Sequence, residues 1–172
     1  RDYPAIRLIQ SLPKGDKMSD ILRSCTELGI EHFYPVITER SIPSLKNSTH
    51  KEKRWHTVIE SAAIQSKQYS IPQLESAASL RDVLDSIDTS QSLCLVAWEE
   101  TDMKQSIKTV LQSSKQYRSI IVVIGPEGGL SDADIALLKE YSFIPCSLGE
   151  PILRVEHAAF YTATTILYEW SE

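Results

Sequence analysis

Long apolar runs are missing from this sequence. None approaches the roughly 18 consecutive apolar residues that a membrane-spanning helix needs. Yet 42% of the 172 residues are hydrophobic, enough to build one sizeable core. Cysteine is sparse as well. Cys25, Cys94 and Cys146 are an odd, widely spaced set. Cys94 and Cys146 fall in apolar, strand-like runs and Cys25 on the apolar face of a helix. They read as buried thiols of a cytosolic protein, not as disulfides or metal ligands, so no metal site is expected. No secretory signal opens the chain, so a cytoplasmic location is expected. The first residue is Arg1 rather than Met, which suggests a piece of a longer protein. Repeats, low-complexity segments and internal linkers are absent, so residues 1–172 are expected to form one domain.

Positive charge is also short overall. The net charge of −5 argues weakly against a nucleic-acid partner, but its distribution argues the other way. Between Arg40 and Gln68 lie Arg40, Lys46, Lys51, Lys53, Arg54 and Lys67 against Glu52 and Glu60. Six cations against two carboxylates make that segment +4 and leave −9 elsewhere. A local basic patch matters more for RNA than the total, although from charge alone a solvated helix face accounts for it best.

What is present is an alternation of strand and helix patterns. Residues 3–12 read as a strand. A helix follows, with Met18, Ile21, Leu22, Cys25 and Leu28 in helical spacing, Asp16 as N-cap and Gly29 as its stop. HFYPVIT (32–38) is a second strand, 41–50 a polar loop with Pro43, and 49–67 a long helix. Residues 70–79 read as irregular and 79–87 as a short helix. Then come a strand at 92–98, a helix at 103–115, a strand at 119–125, a helix at 131–141, a strand at 143–149 and a last helix at 154–170. Continuously apolar strands at 93–97 and 120–124 suit the centre of a parallel sheet covered on both faces.

Four of the 6 glycines stand in two turns after strands. IGPEGGLSDAD (124–134) lacks the Lys-Ser/Thr of a P-loop and the spacing of GxGxxG. Glu127 would repel a phosphate. Gly128 and Gly129 allow positive φ and close approach of a ligand. Ser131 and Asp134 stand in a capping-box relation, which occupies amides an anion would need. A neutral or cationic ligand, such as an adenosine carrying a sulfonium, fits better; a tight turn with Glu127 in solvent fits equally well. The second turn, at Gly149, leads into the last helix. In a parallel sheet ligands collect at the carboxyl ends of strands, so the two turns should border one pocket. Arg154 opens that helix against the macrodipole, which suits a meeting with an anion or another chain.

These residues resemble a known family. IGPEGGLSDADI followed by LGEPILRVEHAA is similar to the signature of the RsmE-type ribosomal RNA methyltransferases, uridine-N3 methylating enzymes of the SPOUT superfamily. LPKGDKMSDILRSCTELGI, ITERS and KRWHTVIESAAIQS (53–66) match further family stretches in order, so the likeness covers nearly the whole chain. The resemblance implies an α/β fold: a mostly parallel sheet flanked by helices, with a C-terminal trefoil knot that holds S-adenosylmethionine bent. It implies a homodimer whose last helix and glycine-turn side form the interface, with the face of Ala158, Ala159, Ala163, Ile166 and Leu167 as the seam. It implies as partner the RNA of the small ribosomal subunit, free or assembled, and no membrane. An N-terminal PUA-like β-domain of the family is expected to be absent from this chain.

Carried over residue by residue, the cofactor should meet Ala97 and Trp98, with Glu99 beside them; Ile124, Gly125, Glu127, Gly128 and Gly129; and Leu148, Gly149, Ile152 and Leu153. Arg154 and Glu156 stand beside the transferred methyl. Uridine N3 must lose its proton to become nucleophilic, so the site needs a base and a cation that stabilises the developing anion. Arg154 supplies the field, and Glu156 or His157 takes the proton, with orientation of Arg154 an alternative role for Glu156. Lys17, Arg40, Lys53 and Arg54 read as phosphate contacts, which position RNA without reading its sequence. There are departures. Gly149-Glu150-Pro151 stands where the family has Gly-Pro-Arg, Val155 replaces a threonine, Ile64 a glutamate, and Gln68 stands near the usual arginine. They leave open a SPOUT enzyme with another RNA target, or a non-catalytic RNA-binding module. A nicotinamide oxidoreductase is remote for want of the dinucleotide spacing.

Overall fold

In the computed structural model the described residues are 3–41 and 48–171. The Pro43 loop, Lys46 and Arg1 lie outside them.

Five strands follow the apolar patterns: β1 (Ala5–Ser11), β2 (His32–Ile37), β5 (Leu93–Ala97), β6 (Ser119–Ile124) and β7 (Ile144–Cys146). Residues 70–79, which look irregular in sequence, carry two more, β3 (Gln73–Leu74) and β4 (Ala78–Ser79). Each is two residues long, too short to leave a period. They form because β2 offers them parallel partners and because Glu52 accepts the Ala77 amide at 2.9 Å. The sheet order is β3-β2-β1-β6-β5-β7, with β4 beside β2. Every pairing among the described residues is parallel, where a mostly parallel sheet was expected.

Both faces are covered. Ile6, Leu8, Ile120 and Val122 pack with α1 (Lys17–Glu27), α2 (Ser48–Gln65), α4 (Ile107–Gln112) and α6 (Val155–Trp170). Ile9, Val36, Val96 and Val123 pack with α3 (Leu80–Ser86) and α5 (Asp132–Glu140). A strand with a helix on each side is apolar at successive positions, which is why β5 and β6 show no alternation. The three cysteines are buried and unbridged. Burial pushes the Cys25 and Cys146 thiols up to about 12, so they behave as apolar filling.

Two boundaries and one cap differ from the expectations. The helix at 103–115 is a 3₁₀ turn (Met103–Gln105) and then α4, divided where Ser106 caps α4 by accepting the Thr109 amide. β7 is three residues, not seven, because the chain after Cys146 turns to pair with the 3₁₀ segment: Ser147 N–H donates to the Gln105 carbonyl at 3.0 Å. Asp16 does sit at the N-cap of α1 but makes no capping bond; its carboxylate instead accepts from the Ser19 hydroxyl at 2.8 Å and from Arg54. The capping box of Ser131 and Asp134 is present on α5.

The small-residue face of α6 is a further correction. Ala159, Ala163 and Ile166 are core residues of this chain, with Ala158 and Leu167 packed beside them. Ala159, Ala163 and Ile166 therefore cannot form a dimer seam, while Ala158 and Leu167 are only partly buried. What α6 turns outward is Phe160, Tyr161 and Tyr168.

Helices α1 and α2 end in the same way. Gly29 has φ +84 and Lys67 φ +56. In each case the next amide reaches back, Ile30 to Cys25 and Gln68 to Ala63, as in a Schellman stop. Gln68 then donates to the Glu27 carbonyl at 2.9 Å and ties the two helix ends together. Lysine in the left-handed region costs roughly 1–2 kcal/mol and glycine there does not, though glycine loses more entropy on folding. Lys67→Gly is therefore expected to raise stability by about 0.5–1 kcal/mol, read in urea unfolding as a higher midpoint at constant slope.

Candidate functional site

Because all strands run in parallel, the turns that follow β5, β6 and β7 emerge at one edge. Together with Lys17 at the start of α1 they bound a cavity of about 790 Å³, within the size range of small-molecule sites.

The turn after β6 is shaped by its glycines. A side chain at Gly125 would stand 2.9 Å from Leu130 Cγ, and Leu130 is buried. Gly129 has φ +76 and its amide closes a tight turn onto the Pro126 carbonyl at 2.9 Å; a Cβ there would lie 3.4 Å from Glu99 Oε1. Gly128 is different. It is not among the positive-φ glycines, it does not line the cavity, and its carbonyl accepts from Arg40 Nη1 at 3.2 Å. The position that needs glycine for its backbone is 129.

Glu127 is exposed but not free. It accepts the Lys14 amide at 2.8 Å and the Lys17 ammonium at 3.0 Å, and so fastens the glycine turn to the loop that follows β1. Burial opposes ionisation of its carboxyl. Bonds from its own amide, the Lys14 amide and Lys17 outweigh that and hold it below the usual carboxylate range.

The turn after β7 is pinned from behind. The Ser147 carbonyl accepts the Ile107 amide at 2.9 Å and the Cys146 carbonyl accepts the Trp98 amide at 3.1 Å. Gly149 takes φ +116, and its amide donates to Ser147 Oγ at 3.2 Å. The chain then enters α6 with Arg154 at the N-cap, where it makes no side-chain capping bond. Among the described residues no carboxylate pairs with Arg154, which is exposed at the cavity wall. Glu156 also lines the cavity, and its Oε2 is buried without a hydrogen-bond donor. His157 is exposed and off the wall.

The structure thus brings together Ala97, Trp98, Ile124, Gly125, Glu127, Gly129, Leu148, Gly149, Ile152, Leu153, Arg154 and Glu156. Lys17, expected on phosphate, instead lines this cavity bound to Glu127. Sequence reasoning missed Glu100, Leu130, Ser147 and Ala158 on the wall; none carries a spacing signal of its own. In all, Glu99, Glu100, Glu127, Glu150 and Glu156 face Lys17 and Arg154, an acidic surround that favours a cationic guest. Arg40, Lys53 and Arg54 are exposed. Arg54 is engaged with Asp16, a surface pair that contributes little to stability.

Comparison with known proteins gives the family and the fold. The RNA methyltransferase domain family matches residues 1–167. Ribosomal RNA small subunit methyltransferase E of Bacillus subtilis is 33% identical over 175 residues, covering 98% of this chain and 68% of that protein. The Synechocystis protein of the same name is 33% identical over 149 residues, covering 87% and 48%. Thus the chain spans between about half and two thirds of these relatives. A crystal structure of ribosomal RNA small subunit methyltransferase E from Neisseria gonorrhoeae bound to S-adenosyl methionine superposes with TM-score 0.81 at 27% identity, over 97% of this chain and 67% of that one.

The depressed Glu127 carboxyl yields a pH test. A folded-state value below the unfolded one means stability that is present above the ordinary carboxylate range and lost as pH falls through the folded value. Glu127→Gln should therefore lower the melting temperature at neutral pH, and the gap to the native protein should close below about pH 4. A gap independent of pH in thermal scans would contradict the assignment.

Proposed function

This chain belongs to the RNA methyltransferase domain family, and from that premise we propose that it transfers a methyl group from S-adenosylmethionine to N3 of a uridine in 16S ribosomal RNA of the small subunit, in the cytoplasm. The observation that carries the reading is Glu156 Oε2, a buried carboxylate oxygen without a donor on a residue of the acidic cavity wall, two residues from Arg154, which pairs with no carboxylate among the described residues. The residues present fit the cofactor. Gly129 and Gly149 bring backbone to the wall, Ile124, Leu130 and Leu148 offer apolar contact, and the carboxylates outnumber the cations around a ligand that carries a sulfonium and an ammonium.

When bound, the cofactor supplies an electrophilic methyl group. The chain's own residues do the rest. Orientation comes from the three pinned turns, and holding the reacting atoms in line is the larger part of such catalysis. Glu156 is assigned as the base for the N3 proton, ahead of His157, because it lines the cavity and His157 does not. Arg154 stabilises the uridine anion as it forms. The target base has to leave its stack to reach the cavity. A trefoil knot is proposed for the segment that carries the turns after β5, β6 and β7, which stand side by side.

A homodimer is proposed on the outward face of α6, where Phe160, Tyr161 and Tyr168 are exposed, with Tyr168 78% accessible. Arg40, Lys53 and Arg54 are proposed to meet phosphate. A different RNA target is supported by the position of two departures. Ile64 is 75% exposed, and Glu150 stands at the cavity rim. Both face outward, where a substrate would arrive.

Two outcomes check the reading. Gly129→Val, a β-branched residue at positive φ, is expected to stay folded and to give no calorimetric heat with S-adenosylmethionine; normal binding would refute the cavity as the cofactor site. Arg154→Ala should abolish radiolabelled methyl transfer to small-subunit RNA while changing cofactor affinity by less than about tenfold, roughly 1.4 kcal/mol. Retained transfer would remove Arg154 from the mechanism.

A further inference from the structure

Gln10 is out of keeping with its surroundings. It is 0% exposed. By strand alternation it shares a face of β1 with Leu8 and Leu12, both core residues. Its parallel neighbours are Pro35 on β2 and Ile124 on β6, and Ile124 is at once a core residue of that face and a wall of the cavity. Nε2 of Gln10 donates to the Ser11 carbonyl at 2.9 Å, but Oε1 has no donor. A buried amide oxygen without a donor is costly, and leucine, of similar volume, would avoid that cost. Packing alone does not account for a glutamine here.

Of the other buried side-chain oxygens without a partner, Thr26 Oγ1, Thr101 Oγ1 and Glu156 Oε2, only Glu156 Oε2 belongs to a carboxylate, which accepts and cannot donate until it takes up a proton. Helix α6 packs on the same sheet face, against β1 and β6, and Glu156 is the second residue of that helix. Two buried acceptors therefore lie toward the carboxyl ends of β1 and β6, each lacking a proton. One proton would satisfy both if it were bonded to Glu156 and donated to Gln10. Resting on the reading of Glu156 as base, we propose that Gln10 is a positioning residue for the methyl transfer: its Oε1 accepts a hydrogen bond from Glu156 once Glu156 has taken the substrate's proton. The N3–H bond of uridine breaks and the proton goes to Glu156 Oε2. The N3 electron pair forms the bond to the methyl carbon, and the carbon–sulfur pair stays on sulfur as a neutral thioether. The Ser11 carbonyl holds the amide by its nitrogen, which fixes Oε1 as the free end. Both orphaned oxygens are then satisfied in the product state and neither in the resting state. That difference favours the forward proton transfer.

The test compares Gln10→Leu, Glu156→Gln and the double variant in single-turnover methylation of small-subunit RNA at saturating protein, with melting temperature and calorimetric affinity for S-adenosylmethionine measured on each. Gln10→Leu is expected to keep cofactor affinity within about twofold, to keep or raise the melting temperature, and to slow transfer by about tenfold. The double variant should be no slower than Glu156→Gln alone. Rate losses that multiply in the double variant overturn the coupling, and a lower melting temperature with an unchanged rate makes Gln10 structural and overturns it too. If Gln10→Leu does not fold, Gln10→Met is read by the same criteria. A native rate in Glu156→Gln removes the base itself. That outcome is distinct from a slow Glu156→Gln with a silent Gln10→Leu, which removes only Gln10.

Discussion

Parallel pairing is the constraint on which the rest of this molecule depends. A parallel strand cannot return by a tight turn, so each crossover carries a helix or a long connection, and the helices must cover both faces. That requirement makes β5 and β6 continuously apolar. It also sends the ends of β5, β6 and β7 to one edge, where 97–101, 124–130 and 147–155 meet. The cavity is a consequence of strand direction before it is a consequence of any side chain.

The edge is then stiffened by bonds between turns rather than within them. Glu127 joins the glycine turn to the loop after β1 through Lys14 and Lys17. Backbone bonds join the turn after β7 to the segment 98–107. A site built on loops gains precision only if the loops are held from behind, and these contacts do the holding. The glutamate in a glycine-rich turn that looks made for phosphate is explained here. It serves as a tie to a neighbouring loop, and it adds to the negative field in which a cationic ligand rests.

Polar groups left without partners mark where the fold serves something other than its own stability. Gln10 Oε1 and Glu156 Oε2 are buried acceptors without a donor, as are the Thr26 and Thr101 hydroxyl oxygens without a partner, but only the first two are acceptors that cannot donate. Arg154, without a carboxylate partner among the described residues, stands at a helix start, where a cation is disfavoured. These features converge on one edge of the sheet, the same edge that the glycine turns reach.

Much of this was written in the residues themselves. The apolar period placed the major strands and the helices within a few positions, the capping box at Ser131 marked the start of α5, and paired glycine turns pointed to one pocket. These are local properties, set by backbone sterics and by hydrogen bonds a few residues long. What sequence reasoning misjudged was decided by partners distant along the chain. β3 and β4 exist only because β2 lies beside them. That Lys17 lines the cavity was not foreseen, because Glu127, 110 positions away, accepts its ammonium. Gly128 lost its expected role to Gly129 because the turn closes on Pro126 and Arg40 covers the other side. The alanines of α6 proved to be core because α1 and the sheet take that face. Spacing reports which residues share a face. Only packing decides what that face meets, since that choice depends on burial and pairing summed over the whole chain.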